Sequence, residues 1–88
     1  MIHIYSDPPD MERKLLRVIS MLGDNDILIF TGDGVLNSLK TEIGARILYL
    51  QPDLKARGIE IKPGSGKSIS LSEMVDLVAG DHRSPVSW

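Results

Sequence analysis

Short runs of β-branched and apolar residues alternate with amphipathic stretches along the chain, and nearly every junction carries a turn or cap residue. Ile2 to Tyr5 has the composition of a strand. Asp7 is placed to cap a helix with Pro8 at its first position, where a missing N–H costs nothing and the fixed φ is already helical. Met11, Leu15, Val18 and Leu22, flanked by Leu16 and Ile19, recur at three- and four-residue spacing, which predicts a helix running to Leu22 and stopped by Gly23. The continuous apolar character of Asp26 to Phe30 suits a central strand covered on both faces. Thr31-Gly32-Asp33-Gly34 is the turn off that strand. Val35, Leu36, Leu39 and Ile43 then form the buried side of a short helix that ends at Gly44.

Ala45 to Leu50 makes a third strand. Pro52 opens about one and a half turns of helix that stop at Gly58, and Ile59 to Ile61 is predicted as a short fourth strand. Lys62 to Lys67, with Pro63, Gly64 and Gly66 close together, is a loop. Ser68 to Leu71 can form a further short strand. Ser70 with Glu73 three residues later fits a capping box for a last helix that turns Met74, Val75, Leu77 and Val78 inward. Gly80 ends that helix, and Asp81 to Trp88 is a tail. The fold class is α/β: one domain over residues 1–88, layered, with a four- or five-stranded, mostly parallel sheet and flanking helices, because strands separated by helices need crossovers.

With 88 residues and 42% hydrophobic content the chain is too apolar for intrinsic disorder and too short for a two-domain enzyme. A domain of this size buries only about 60–65% of its unfolded surface, so an oligomer interface is expected to help it. Ten Lys and Arg against twelve Asp and Glu are interleaved to a net charge of −2, which gives no electrostatic footprint for direct nucleic-acid binding. The chain has no cysteine, so it carries no disulfide, no thiolate metal site and no cysteine nucleophile or persulfide. Its longest apolar runs are far short of a membrane span, and a cytoplasmic protein is expected.

The candidate chemistry is sparse. Gly64-Ser65-Gly66-Lys67-Ser68 has the look of half a phosphate-binding loop, but Ile61 stands where such a loop needs its first Gly, and a β-like run follows instead of a long helix. Asp33 and Gly34, ahead of Val35, sit at a strand-to-helix turn where open α/β sheets hold ligands, although two glycines and an Asp also make a good tight turn. His3 and His82 cannot make a zinc site without carboxylate help, and no His-x-x-x-His spacing exists. No catalytic residue, cofactor or metal is predicted. Trp88, the one Trp, must either fold back on the domain or meet a partner.

Three segments together resemble the DsrH/TusB family of small sulfur-relay subunits. These are Asp26 to Phe30 with Asp33-Gly34-Val35; Gln51-Pro52-Asp53-Leu54-Lys55-Ala56-Arg57-Gly58-Ile59; and Met74-Val75-Asp76-Leu77-Val78 with Ser87-Trp88. The resemblance implies a DsrE-like fold and assembly with homologous DsrE/TusD-like and DsrF/TusC-like subunits, one of which holds a persulfide on a cysteine. It also implies sulfur transfer toward 2-thiolation of the tRNA wobble uridine, or dissimilatory sulfur metabolism. Some family members have a cysteine near the positions of Val18 to Ser20, and this chain does not, so its implied role is that of a noncatalytic subunit. Asp33, Gly34, Val35, Asp53, Arg57 and Trp88 are the candidate interface or motif residues; for Asp53 and Arg57, complementing the dipole of their short helix is an equal reading. The alternative is a self-associating module that binds a small ligand at the Gly32 to Val35 turn.

Overall fold

The computed structural model describes residues 1–39, 46–61 and 66–88. Its elements in chain order are β1 (Ile2–Tyr5), α1 (Glu12–Ser20), β2 (Ile27–Phe30), a 3₁₀ helix (Gly32–Leu39), β3 (Ile47–Leu50), α2 (Gln51–Ala56), β4 (Lys67–Ile69), α3 (Leu71–Gly80) and β5 (Val86–Ser87). The strands form one sheet in the order β4-β3-β2-β1-β5, and every pairing is parallel. The α/β layer with flanking helices is therefore observed.

The strand order determines where the helices go. Right-handed crossovers that step from β1 to β4 must all pass over one face, and the connection that returns from β4 to β5 must pass over the other. The side chains agree. Tyr5, Leu28, Phe30, Ile47 and Tyr49 point to the first face and form one core with Leu15 and Val18 of α1, Val35 of the 3₁₀ helix and Leu54 of α2. Ile2, Ile29 and Ile69 point to the second face, where Met74, Leu77 and Val78 of α3 pack on them. Strand periodicity explains the division, since alternate residues project to opposite sides.

Several elements depart from the sequence-based expectation. Helix α1 begins at Glu12, not after Asp7. A second proline disfavours helical geometry at Pro8, and the segment instead closes a turn in which Met11 N donates to the Pro8 carbonyl at 3.2 Å. Asp7 caps nothing and pairs with Lys14. The segment after β2 is a 3₁₀ helix, whose threefold repeat buries Val35 and Ser38 together with Asn37 and leaves Leu36 only half-buried. The predicted Ile43 and Gly44 lie outside the described residues, as does the side chain of Leu39.

Ile59 to Ile61 is not a strand. The Gly58 N–H reaches the Lys55 carbonyl and the Ile59 N–H reaches the Leu54 carbonyl, the paired bonds of a Schellman motif, with Gly58 at φ +64°. Ile59 then packs on the same core as Leu54, and this contact accounts for its apolar character. The fourth strand is Lys67–Ile69, close to the short strand expected from Ser68. Val75 does not turn inward: it is 57% exposed. The tail is not a tail. Val86 and Ser87 pair with His3 and Ile4 as a fifth strand on the far side of β1.

Candidate functional site

The residues singled out in the sequence fall into two places. At the carboxyl ends of β2 and β3, the turn that starts the 3₁₀ helix meets α2. Asp53, in the first turn of α2, accepts the backbone N–H of Gly32 on Oδ2 at 2.8 Å. Arg57, one turn further on, donates through Nε and Nη2 to Oδ1 of Asp33 at 3.2 and 2.9 Å, and through Nη1 to the carbonyl of Asp53 at 3.0 Å. The Asp-Gly-Val turn and the Pro-Asp-Leu-Lys-Ala-Arg-Gly helix are thus two halves of one clasp. Gly34 fits this clasp closely. A Cβ there would stand 2.3 Å from the carbonyl oxygen of Tyr5, so the turn lies directly on the end of β1.

The clasp has little spare chemistry. Asp53 and Asp33 are both engaged, the Gly34 N–H goes to the Thr31 carbonyl at 2.9 Å, and Val35 is fully buried. Asp33 is more than half exposed, so its ion pair with Arg57 is worth about 0–1 kcal/mol. The topology also puts the switch point of this sheet between β1 and β5, where the direction of the connections reverses, and not at β2. Among the described residues, two open clefts, of about 630 and 880 Å³, lie beside the start of β1 and between α2 and β4; none of Asp33, Gly34, Val35, Asp53, Arg57 or Trp88 lines either. No group of three or more metal-ligating side chains occurs among the described residues.

Trp88 is at the second place, on the opposite side of β1, and it folds back. Its N–H donates to the Ile4 carbonyl at 2.9 Å, its ring packs against the core of the α1 face, and its indole Nε1–H donates to Nδ1 of His3 at 3.1 Å. The two rings are stacked, with centroids 6.1 Å apart. His3 is buried and reaches Oδ2 of Asp26 through Nε2 at 3.0 Å. Oδ1 of Asp26 accepts from the Met1 ammonium, also at 3.0 Å. The Gly23 N–H, then His3, then the ammonium hold the Asp26 carboxyl well below the usual carboxylate range.

Sequence reasoning missed Asp26 and gave His3 no partner. The one available signal was that a His between Ile2 and Ile4 alternates onto a buried face and so needs partners. Nothing local pointed to Asp26, 23 residues away.

A family model described as DsrH like protein matches residues 9–84 of the chain. This chain belongs to the DsrH-like family. The match contains both halves of the clasp and all of α3, and it ends short of β1 and β5. DsrH proteins act in sulfur relay together with other relay subunits, and membership connects this chain to that process. No curated protein matches it. Among its described residues, no helix is long and apolar enough to cross a membrane.

Proposed function

We propose that this DsrH-like chain is a noncatalytic subunit of a cytoplasmic sulfurtransferase assembly, in which DsrE/TusD-like and DsrF/TusC-like subunits carry the transferable sulfur. The observation that supports the reading is a sulfur-relay family match over residues 9–84 in a sequence without a single cysteine. Persulfide transfer needs a thiolate to attack and to carry the sulfane sulfur. A relay protein lacking one contributes surface, placement or regulation to a partner that has one. Delivery to the 2-position of the tRNA wobble uridine is the destination we favour, with the tRNA contacts made by other chains, because the interleaved charges here offer no basic face.

Asp33 and Arg57 on the clasp, with the outer edge of Trp88, are the proposed contact residues. The Gly32 to Val35 turn gains no support as a ligand site from the geometry, since the N–H groups of Gly32 and Gly34 and both acids are already engaged.

Gentle isolation of the tagged chain from its own cells, followed by native mass spectrometry, tests the proposal. The expected result is co-isolation with DsrE-like chains, one of them bearing a cysteine that reacts as a persulfide. Recovery as a monomer or a homo-oligomer alone would refute it.

A further inference from the structure

Strand β5 is held by very little backbone: two register pairs with β1 and one bond from the Trp88 N–H to Ile4. Val86 is half-buried and Ser87 exposed, so the indole is the main anchor of the segment. That anchor rests on one nitrogen. An indole N–H can only donate, so Nδ1 of His3 must present its lone pair. Nε2 faces a carboxylate oxygen and carries the hydrogen. The geometry therefore selects the neutral Nε2–H tautomer of a buried histidine.

We infer that His3 is a proton-operated latch for the β5 strap: taking up a proton at Nδ1 sets donor against donor and releases Trp88, which frees the outer edge of β1. The remainder of the site is built to survive the change. Asp26 keeps its bond to Nε2, remains ionised because its neighbours hold its carboxyl low, and balances the new positive charge. Protonation thus gives up the Trp88 hydrogen bond and turns the existing Nε2–H bond to Asp26 into an ion pair, without unpairing either group of that couple.

The charged groups around His3 can be named. Asp26 contacts it directly, and the Met1 ammonium sits on the far oxygen of Asp26, with Asp81 at 3.7 Å from that ammonium and Arg83 on Asp81. β5 brings only Val86, Ser87 and the indole. β2 sets Leu28 in register with His3. On α1, Lys14 is engaged by Asp7 and lies over the Tyr5 ring. This inference does not depend on the sulfur-relay reading.

The test is a pH series on the whole chain from about pH 8 to 5, the range in which imidazoles titrate. Backbone amide exchange would be corrected for intrinsic rates, and emission from the single Trp recorded alongside. Protection of the Trp88 amide is expected to fall about tenfold, roughly the weight of one hydrogen bond, with a red-shifted emission, while the α3 amides keep theirs. The Trp88→Phe variant retains a stacking ring without the N–H, and its exchange at position 88 should be flat over the same range. Unchanged protection in the parent, with emission merely quenched at constant wavelength, would mean that an imidazolium sits under a docked ring and would overturn the latch. So would a pH step that persists in Trp88→Phe.

Discussion

The two faces of the sheet are made from the same kind of strand and are covered very differently. Over the first lie α1, the 3₁₀ helix and α2, and Tyr5, Val18, Leu28, Phe30 and Val35 have no exposed surface at all. Phe30 is held edge-on by Tyr5 and stacked by Tyr49, with centroids 5.7 and 5.2 Å away. Over the second, among the described residues, lies α3 alone. No residue of α3 is fully buried, Ile4, Ile27 and Leu48 beneath it are half-buried, and Leu71 and Val75 are each 57% exposed. Chain topology causes the difference: three connections stepping one way supply three covering segments, and one return supplies one. The α1 face holds the larger buried cluster, while Ile2, Ile29 and Ile69 are the buried residues of the α3 face.

The sharpest way to break that comparison is to truncate one core-facing residue on each face. Phe30→Ala should cost about 3–5 kcal/mol in urea unfolding, a large share of the stability of a small domain. Leu77→Ala on the α3 face should cost about 1–2 kcal/mol, in keeping with its half-exposed state. Equal losses would show that α3 is as firmly seated as α1.

Two glycines sharpen the contrast at the next scale. Gly34→Ala drives a methyl into the Tyr5 carbonyl and should lose about 2–3 kcal/mol, whereas a Cβ at Gly80, at the end of α3, meets nothing within 4 Å. Gly80→Ala should gain up to about 1 kcal/mol from helix propensity alone, and thermal melts would read both. Ser70→Ala comes next, costing about 1 kcal/mol. It removes the side chain that accepts the Glu73 N–H and disrupts a capping box in which the Glu73 carboxylate accepts the Ser70 N–H.

The smallest effect is one of pH. Because the folded state lowers the Asp26 carboxyl, its contribution is complete above the unfolded value of about 4 and is lost as pH falls below it. Asp26→Asn should therefore flatten the acid side of the stability curve below about pH 4. A parent and variant with parallel acid limbs would contradict the assignment.

Local chemistry was readable from the sequence and long-range pairing was not. The Ser70–Glu73 cap, Pro52 opening α2 and Gly58 closing it each depend on residues within one turn, and the structure contains all three. Pro8 misled because Pro9 follows it, and Ile59 misled because an apolar residue closing a Schellman motif has the same composition as one in a strand. Val86-Ser87 is too short to carry a period. Each half of the clasp was visible as a motif, but the donation from Arg57 Nε and Nη2 to Oδ1 of Asp33 spans 24 residues, and no pattern in one chain reports a contact at that separation.

The widths of the five strands have a consequence for how the molecule behaves at high concentration. Three four-residue strands fill the centre, and the margins are a three-residue strand bearing an exposed Lys67 and a two-residue strand. Sheet margins are where chains template one another into aggregates, and short or charged margins offer few unpaired amides for that purpose. A protein that leaves Leu71 and Val75 in water thus limits indiscriminate stacking through its backbone while β5 stays paired with β1.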